Sequence, residues 1–303
     1  MNRLRIGSRG STLALVQSNW VKQQIELHYP DLAVDLSIIK TSGDLFIDRP
    51  IPAVGGKGVF TKEIEDALWR KEIDIAVHSM KDLPTELPDG LTIAAVPARE
   101  DARDVLVSKS GVKLADLPRG ARVATGSLRR QAQLLHHRAD LVVTPIRGNV
   151  DTRVRKLDDG EADGLIMAAA GLKRIGRSER ISEYLPDEIC VSAVAQGALA
   201  IEARDDDALR EMLGFLHDPL AEAETVAERA LLRRLSGGCH VPIGARARAA
   251  GEVLAMIAIV ASPDGKTLCK AKLTGDISEA KKLGERLAEE LLKQGANKIL
   301  AAS

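Results

Sequence analysis

The chain has 303 residues, enough for two or three domains, and 45% of the residues are hydrophobic, so each domain can bury a core of its own. Its 43 Lys and Arg residues are balanced by 43 Asp and Glu residues, which leaves no global positive field to recruit nucleic acid or a membrane surface. Aromatic residues make up 2% of the chain, too few for the stacking platforms that bind single-stranded nucleic acid.

The N-terminal residues contain no apolar targeting segment, and no run reaches the roughly 18 apolar residues of a membrane span. We therefore expect a cytoplasmic protein. The three cysteines, Cys190, Cys239 and Cys269, form no CxxC pair, so neither a disulfide framework nor a zinc site is indicated. No paired histidine spacing occurs either, and we expect no bound metal.

The first predicted strand, residues 3–7, ends in a turn that carries Arg9. Ser11 is placed to cap the following helix, and Gln17 is close enough to this end of the strand to reach a ligand. Taken alone, this turn is explained equally well by a solvated surface arginine. The residues expected on the buried face of the helix are Leu13, Val16, Trp20 and Leu27.

A second strand, predicted over residues 33–40, is followed by a glycine-rich stretch with little periodicity, residues 41–60. A loop of this length is usually either a functional lid or disordered. Its Gly-Gly-Lys-Gly segment, residues 55–58, lacks the Ser or Thr and the glycine spacing of a phosphate loop, which argues against a nucleotide site. Phe60, Ile64 and Leu68 predict one apolar face of the next helix, most simply explained by core packing.

The β-branched run of residues 73–77 predicts a buried parallel strand that delivers residues 78–82 to the same edge of the sheet. Lys81 and Asp82 are the candidates for chemistry at this edge. On spacing alone, a surface ion pair of little energetic weight is the alternative.

Arginines gather at a turn after a predicted strand twice within residues 122–153. In the first turn Thr125 and Ser127 precede a helix, with Ser127 as its cap, and Arg129 and Arg130 lie in the opening helical turn. Cations are disfavoured at this end of a helix dipole, so we expect an anion there. Backbone N–H groups, hydroxyls and guanidinium groups together form a carboxylate or phosphate site.

In the second turn Arg147 follows the strand, Asn149 is placed to cap a helix, and Arg153 lies one helical turn further on. Residues 122–180 hold 12 Lys and Arg against 7 Asp and Glu. Two such turns on one edge of a parallel sheet predict a cleft for a ligand with several negative charges. Solvated surface arginine is the alternative, although it explains helix-opening arginines poorly.

Two crossovers are predicted, one between residues 92–97 and 105–107 and one across residues 192–202, which include Gln196. Before the second crossover, Arg174 follows a predicted strand at 164–167. Two crossovers between two lobes make a hinge. This arrangement is that of periplasmic-type binding proteins, which close around a ligand.

The rest of the chain predicts a small α+β domain with a helix, a glycine-containing loop, three strands and a final helix. The hairpin turn is expected at residues 262–265. Cys239 lies in the loop, an adaptable setting for a nucleophile, although a lone loop cysteine is more often inert. Cys190 and Cys269 are interpreted as core and strand residues.

The predicted fold class is therefore α/β, with two periplasmic-binding-protein-like lobes of mainly parallel sheet joined by two crossovers and a small C-terminal α+β domain. The first lobe is expected to be discontinuous, residues 1–97 and 198–216. The second lobe is expected at 98–197 and the C-terminal domain at 217–303.

Six blocks in this order, VHSMKDLP, TGSLRRQ, IRGNVDTR, AAAGLKR, VAQGALAIE and GGCHVPIG, span nearly the whole chain. They resemble the porphobilinogen deaminase family, also called hydroxymethylbilane synthase. The resemblance implies a transferase of tetrapyrrole (haem-type) biosynthesis. Such an enzyme joins four porphobilinogen molecules head to tail into hydroxymethylbilane and releases ammonia at each step. It also implies a monomer whose partners are porphobilinogen and the growing oligopyrrole.

The resemblance assigns roles to individual residues. It implies a dipyrromethane cofactor bound through a thioether to Cys239. It also implies a catalytic aspartate at Asp82 that stabilises the azafulvenium cation left when ammonia departs, accepts hydrogen bonds from pyrrole N–H groups and shuttles protons during condensation. The other implied cofactor-binding residues are Lys81, Thr125, Ser127, Arg129 and Arg130. The implied substrate-binding residues are Arg9, Ser11, Gln17, Arg147, Arg153, Arg174 and Gln196.

One departure from the family pattern is visible, since Gly126 stands where many members have serine, and this removes one expected hydroxyl contact. The glycine-rich loop, residues 42–60, corresponds to the family's lid. The alternative hypothesis is a non-catalytic, two-lobed binding protein for a small polycarboxylate. Such a protein would have no use for Cys239 or for a carboxylate at Asp82.

Overall fold

The computed structural model describes residues 2–45, 60–235 and 242–302. Two features predicted above, the Gly-Gly-Lys-Gly segment at 55–58 and Cys239, lie outside the described residues. Within the described part of the chain, every helix is too short or too polar to span a lipid bilayer.

The chain divides into two compact units, each formed from two stretches of sequence. Unit 1 consists of Met1–Arg99 and Ala198–Pro219, and unit 2 consists of Glu100–Gly197 and Leu220–Ser303. Unit 2 contains both the predicted second lobe and the predicted C-terminal domain. The separation of these two into distinct domains stays a prediction.

The elements alternate between strand and helix through most of the chain. In chain order the strands are β1 (Arg3–Ser8), β2 (Ala33–Ile38), β3 (Ile75–Ser79), β4 (Leu91–Ala95), β5 (Asp104–Ser108), β6 (Arg122–Ala124), β7 (Val142–Thr144), β8 (Gly164–Ala168), β9 (Glu183–Tyr184), β10 (Leu199–Arg204), β11 (Ile243–Ala250), β12 (Val253–Ala261) and β13 (Leu268–Asp276). The helices are α1 (Thr12–His28), α2 (Ser42–Leu45), α3 (Lys62–Trp69), α4 (Leu128–His137), α5 (Val150–Asp158), α6 (Ala169–Arg174), α7 (Asp207–Leu213), α8 (Pro219–Arg234), α9 (Ala280–Lys293) and α10 (Ala296–Ala301).

Unit 1 contains a five-stranded sheet in the order β2-β1-β3-β10-β4. Strand β1 pairs in parallel with β2 and β3, whereas β10 is antiparallel to both β3 and β4. The four strands from the first stretch of chain therefore share one direction, and β10, which follows the return crossover, runs against them.

The first sheet of unit 2 repeats this arrangement in the order β7-β6-β8-β5-β9. Strands β6, β7 and β8 are parallel, and β5, which follows the outward crossover, is antiparallel to β8 and β9. The predicted α/β fold is confirmed, and its sheets are mixed because the strand after each crossover is reversed.

Three predicted helix caps are confirmed, and each one ends a turn of interest. The Ser11 side chain accepts a hydrogen bond from the Ala14 amide at 3.3 Å, and Ser127 accepts one from the Arg130 amide at 3.5 Å. Asn149 Oδ1 accepts from the Thr152 amide at 2.9 Å. These bonds satisfy N–H groups that an uncapped helix leaves without a partner, so they fix where α1, α4 and α5 begin.

The predicted buried face of α1 is wrong. Trp20 and Leu27 are 41% and 69% exposed, and Leu13 and Val16 are only partly buried. Polar residues occupy part of the real buried face because unit 1 supplies their partners, so hydrophobic periodicity misplaces it. The residues on the buried face are Gln17, Ser18, Val21 and Ile25.

The last part of unit 2 is an antiparallel sheet, β11-β12-β13, with α9 packed on β12 and β13. The predicted hairpin turn lies between β12 and β13, and its Gly265 carbonyl is 2.9 Å from Nδ1 of His136 on α4. The fully buried Glu228 of α8 accepts hydrogen bonds from the Ala195 and Ala247 amides, at 2.5 and 2.7 Å. One carboxylate therefore ties α8 to β11 and to the segment just before the return crossover.

Candidate active site

A pocket lies at the edge of the unit 1 sheet where β1 and β3 end. Its empty volume, which includes the solvent at its open mouth, is about 420 Å³. It brings together three residues that the sequence predicts for the site, Arg9, Ser11 and Asp82. The other polar or aromatic residues that line it are Phe60, Thr61, His78 and Ser79.

An aromatic ring holds Arg9 at the wall of this pocket. The guanidinium carbon of Arg9 lies 4.2 Å from the centroid of the Phe60 ring, which is a cation–π contact. The sequence places Phe60 on a helix face, which is wrong, because α3 begins at Lys62 and Phe60 precedes it. The proline- and glycine-rich stretch before Phe60 hides this boundary.

Asp82 reaches the pocket from a short 3-10 turn, Met80–Asp82, that follows β3. Met80 is buried, and its amide donates to the Ala198 carbonyl at 3.0 Å, which anchors the turn to the start of β10. Lys81 and Asp82 themselves are exposed. The predicted exit of both side chains at the end of β3 is confirmed.

Gln17 supports the pocket rather than lining it. Its Nε2 donates to Ser79 Oγ at 2.9 Å, and the two side chains are joined a second time through Gln17 Oε1. Ser79 is one of the lining residues. A role for Gln17 in direct contact with substrate stays a prediction.

The pocket also has a buried polar neighbour that sequence reasoning missed. His78 Nε2 lies 2.9 Å from an oxygen of Glu202 on β10, and both side chains are nearly or fully buried. Glu65 of α3 is 6% exposed. Burial, and to a smaller extent the charge of Glu202, raise the pKa of Glu65. The signal in the sequence that could have revealed this neighbour is a glutamate, Glu202, inside the otherwise apolar strand β10.

In unit 2, Arg129 and Arg130 both bind one buried carboxylate, Asp104, at the start of β5. Arg129 Nη1 donates to Asp104 Oδ2 at 2.6 Å, and Arg130 donates to Oδ1 through Nε and Nη2 at 3.0 and 2.7 Å. Asp104 is fully buried, and the arginines are 6% and 7% exposed. The anion expected beside the helix-opening arginines is thus present within the chain.

The arginine pair controls the ionisation of this cluster. Burial alone would raise the pKa of Asp104, but the charges of Arg129 and Arg130 outweigh it and hold that pKa far below the usual range. Burial, and then the charge of Asp104, raise the pKa of the Cys190 thiol to about 12. Two cations against one carboxylate leave the cluster with one positive charge in excess.

Two of the predicted polar neighbours are part of this cluster. Gln196 Nε2 donates to Asp104 Oδ1 at 2.9 Å and to the Ala102 carbonyl at 2.7 Å. Thr125 is buried, and its hydroxyl accepts from the Ser127 amide at 3.2 Å, so it shapes the turn before α4.

Three more predicted arginines lie in unit 2. Arg153 donates from Nε to the Gly148 carbonyl at 2.7 Å, and Arg174 donates from Nη2 to the Gly197 carbonyl at 2.7 Å. Burial lowers the pKa of both, to about 10 for Arg174, and the charges of Arg130 and Arg147 lower that of Arg153 further. Arg153 is therefore repelled by both Arg130 and Arg147, and a negatively charged ligand would relieve this repulsion.

The two arginine-bearing turns of unit 2 touch at Gly126. A Cβ atom at this position would lie 2.9 Å from the carbonyl oxygen of Ile146, just before Arg147. The absence of a side chain therefore lets the turn before α4 pack closely against the turn before α5. The glycine that departs from the family pattern thus has a steric role in this chain.

The structure places the predicted residues in two groups. Unit 1 holds an exposed carboxylate in a pocket beside Arg9 and Ser11, and unit 2 holds five of the predicted arginines, two of them buried, two partly buried and one exposed. The described residues contain no cluster of His, Cys, Asp and Glu arranged to hold a metal ion. Such an α/β protein is suited to bind an organic polyanion and to act on it through an acid group.

Comparison with known proteins identifies the family. Residues 4–211 match the model described as "Porphobilinogen deaminase, dipyromethane cofactor binding domain". Residues 223–293 match "Porphobilinogen deaminase, C-terminal domain". The chain therefore belongs to the porphobilinogen deaminase family, as the sequence blocks predict.

Individual relatives agree over their full length. A protein of Geobacter metallireducens named Porphobilinogen deaminase is 53% identical over 300 residues, covering 99% of this chain and 94% of that protein. The Porphobilinogen deaminase of Geobacter sulfurreducens is 51% identical over 302 residues, with 99% and 95% coverage. Among solved structures, the methionine binding protein MetQ has a TM-score of 0.43 at 16% identity, over 70% of this chain and 87% of that one.

Proposed function

We propose that this protein joins four porphobilinogen molecules head to tail into hydroxymethylbilane and releases one ammonia at each step. The observation that carries the proposal is the match of two porphobilinogen deaminase family models, which between them cover most of the chain. The pocket around Asp82 supports it, because a carboxylate beside cationic and hydroxyl groups suits a carboxylated pyrrole that becomes positively charged during reaction.

The residues of the unit 1 pocket bind and activate the substrate in this proposal. Arg9 and Ser11 bind a substrate carboxylate, since a guanidinium and a hydroxyl both donate to it. Asp82 accepts hydrogen bonds from pyrrole N–H groups and stabilises the cation that forms when ammonia leaves. Lys81, exposed in the same turn, adds a positive charge for the carboxylates of the bound chain.

The guanidinium and hydroxyl groups of unit 2, which donate hydrogen bonds, fit a dipyrromethane cofactor. The charges of Arg130 and Arg147 lower the pKa of Arg153, so a ligand with negative charge would stabilise this group of cations, and a cofactor made from two porphobilinogen units carries four carboxylates. Arg129, Thr125 and Ser127 complete the proposed contacts to it, and Arg174 and Gln196 those to the substrate. When bound, the cofactor supplies the free pyrrole carbon to which the first substrate is joined. Cys239, outside the described residues, is the proposed attachment point.

The first experiment is intact mass spectrometry with an assay for porphobilinogen consumption. We expect the wild-type protein to carry the mass of two pyrrole units and to release four ammonia molecules per bilane. Cys239→Ser should lack that mass. The alternative, a binding protein for a small polycarboxylate, predicts an unmodified chain that binds porphobilinogen without consuming it.

The second experiment tests the acid group. Asp82→Asn should retain the cofactor mass and lose turnover by at least about 100-fold, the lower end of the usual contribution of a catalytic acid or base. Turnover close to that of the wild type would show that Asp82 is not part of the mechanism, and the proposed function would still stand.

We further propose a cytoplasmic monomer with three domains that binds neither nucleic acid nor membrane. The balanced charge of the chain supports the lack of a polyanionic partner. Light scattering after size-exclusion chromatography would test the monomer, and limited proteolysis near residue 217 would test the separate C-terminal domain.

A further inference from the structure

A buried acid pair next to the Asp82 pocket has no role in the function proposed above. Glu202 of β10 is fully buried, and Glu65 of α3 is 6% exposed. One oxygen of each, Oε1, has no hydrogen-bond partner among the described residues. A buried polar atom without a partner costs about 1–3 kcal/mol, so fold stability does not explain why both carboxyl groups are there.

His78 connects this acid pair to the pocket. Its ring is almost completely buried, its Nε2 lies 2.9 Å from Glu202 Oε2, and the residue lines the same pocket as Asp82. An ionised carboxylate can only accept a hydrogen bond, so in the neutral ring the proton is on Nε2 and the lone pair is on Nδ1. The part of the chain that the structure describes provides no hydrogen bond to Nδ1. In this tautomer Nδ1 is the ring atom that can accept a proton.

Charged groups surround His78 from every element packed near it. Glu202 belongs to β10 and Glu65 to α3, whereas Arg9 and Asp82 lie in the turns after β1 and β3. Burial, and then the charge of Glu202, raise the pKa of Glu65. Glu202 is the acid of the pair that lies within hydrogen-bond distance of the ring.

The proposed reaction needs a proton acceptor in addition to a group that stabilises positive charge. Each condensation breaks the bond between the substrate's methylene carbon and nitrogen, and the electron pair leaves with ammonia. A new bond then forms from that methylene carbon to the α-carbon of the preceding pyrrole. The C–H bond of this α-carbon breaks, its electron pair returns to the ring, and one proton must be accepted by a base.

We propose that His78 is the general base that accepts this proton on Nδ1, and that Glu202 is a positioning residue that holds the ring and stabilises its charged form. Asp82 remains the group that stabilises the substrate cation. The proton leaves afterwards with ammonia, as ammonium, or with water, so the ring is neutral again for the next condensation. The inference rests on the proposed function.

The first test measures the tautomer directly and does not require turnover. In nitrogen-15 NMR of the purified full-length protein, with the His78 signal assigned by its loss in His78→Gln, we expect the ring proton on Nε2. In Glu202→Gln, the ring should become protonated at lower pH than in the wild type, because an amide stabilises the imidazolium less than a carboxylate does. A ring proton on Nδ1, or identical titration in both proteins, would overturn the proposal.

The second test is kinetic, with His217 as the matched control. His217 is a half-buried histidine of the same unit whose Nδ1 accepts from the Val96 amide at 3.3 Å, and it does not line the pocket. We expect His78→Gln to lower kcat at least about 100-fold with KM and cofactor mass little changed. We expect Glu202→Gln to lower kcat about 10-fold and to move the acid limb of the kcat–pH profile to lower pH. His217→Gln should leave kcat and the pH profile unchanged.

The two proposals fail in different ways. If the wild-type protein does not consume porphobilinogen, the proposed function fails, whereas the NMR titration still reports whether Glu202 holds His78. If the wild type is active and a folded His78→Gln protein keeps kcat within about threefold, the general base is wrong and the function stands. If His78→Gln does not fold, Glu202→Gln decides, because a purely structural role would leave the acid limb in place.

Discussion

Unit 1 and unit 2 each bury a carboxyl group almost completely, yet the pKa values of the two groups are shifted in opposite directions. Glu65 of unit 1 has no arginine partner among the described residues, and burial raises its pKa. Asp104 of unit 2 is shared by Arg129 and Arg130, which hold its pKa far below the usual range in spite of burial. Burial alone favours the neutral acid, and only two hydrogen-bonded cations reverse that preference.

The difference separates a reactive region from a rigid one. In unit 1 an acid pair with unpartnered oxygens and a histidine stands beside an open pocket, where protons can move. In unit 2 Asp104 is held within the core by hydrogen bonds from two arginines and Gln196, which keep the carboxylate ionised. We therefore expect substitutions at Asp104 to act on stability first, and substitutions around Glu202 to act on catalysis first.

The largest expected effect on stability comes from Asp104→Asn. Removing the charge leaves two buried guanidinium groups uncompensated, which costs about 3–5 kcal/mol of unfolding free energy at neutral pH. Urea denaturation followed by circular dichroism measures this loss. Because the folded-state pKa of Asp104 is depressed, its contribution is fully present above the ordinary aspartate pKa of about 3.9 and is lost as pH falls below it. A difference between the two proteins that did not narrow in acid would contradict this account.

A smaller loss is expected for Arg129→Met. Arg130 still binds Asp104 in this variant through Nε and Nη2, so the carboxylate keeps one cation. We expect unfolding free energy to fall by about 1.5–3 kcal/mol, the usual range for hydrogen bonds to a charged group. Chemical denaturation measures the change, and intact mass spectrometry shows whether cofactor loading is also affected. Normal loading with reduced stability would assign Arg129 to Asp104 rather than to the cofactor.

Glu65→Gln should change the pH dependence of stability in the opposite direction to Asp104→Asn, and by a smaller amount. The folded-state pKa of Glu65 is raised, so the group contributes its full stability below the ordinary pKa of about 4.3 and loses it as pH rises toward the folded-state pKa. A neutral glutamine does not lose this stability. The melting temperature of Glu65→Gln, relative to that of the wild type, should therefore rise between acid and neutral pH. Asp66→Asn, one residue away on α3, is the matched control, and its melting temperature relative to the wild type should not rise in this way.

The smallest expected effect is at Cys190. Its thiol lies in the Asp104 cluster, and its pKa of about 12 leaves almost no thiolate at pH 8. We expect no alkylation of Cys190 by iodoacetamide in the native protein, as read by peptide mass mapping. Asp104→Asn should make the thiol measurably more reactive, because one cause of the raised pKa is then removed. Rapid labelling of native Cys190 would show that the cluster opens readily.

The features that follow from local rules are predictable from the sequence. Ser11, Ser127 and Asn149 cap their helices because a side-chain acceptor next to an apolar periodic segment satisfies free N–H groups in any tertiary context. The exit of Lys81 and Asp82 at the end of β3 follows in the same way from the apolar run before them.

Features that depend on partners distant in sequence are not predictable from local pattern. The buried face of α1 contains Gln17 and Ser18 because Ser79 and Ser8 are there to bond them, and periodicity cannot reveal that. Asp104 is 25 residues from Arg129, and Glu202 is 124 residues from His78. Each contact depends on sheet order, which places β10 beside β3 in unit 1 and β5 beside β8 in unit 2.

The position of β10 has a consequence for synthesis on the ribosome. Among the strands that the structure describes, β4 pairs with β10 alone. Because β10 ends at Arg204, β4 has no such partner until about two-thirds of the chain has been translated. A nascent chain with an exposed strand edge is prone to aggregate, so translation speed or a bound chaperone would matter most in this interval. The same late strand brings Glu202, so the proposed base acquires its partner only when the nascent sheet is completed.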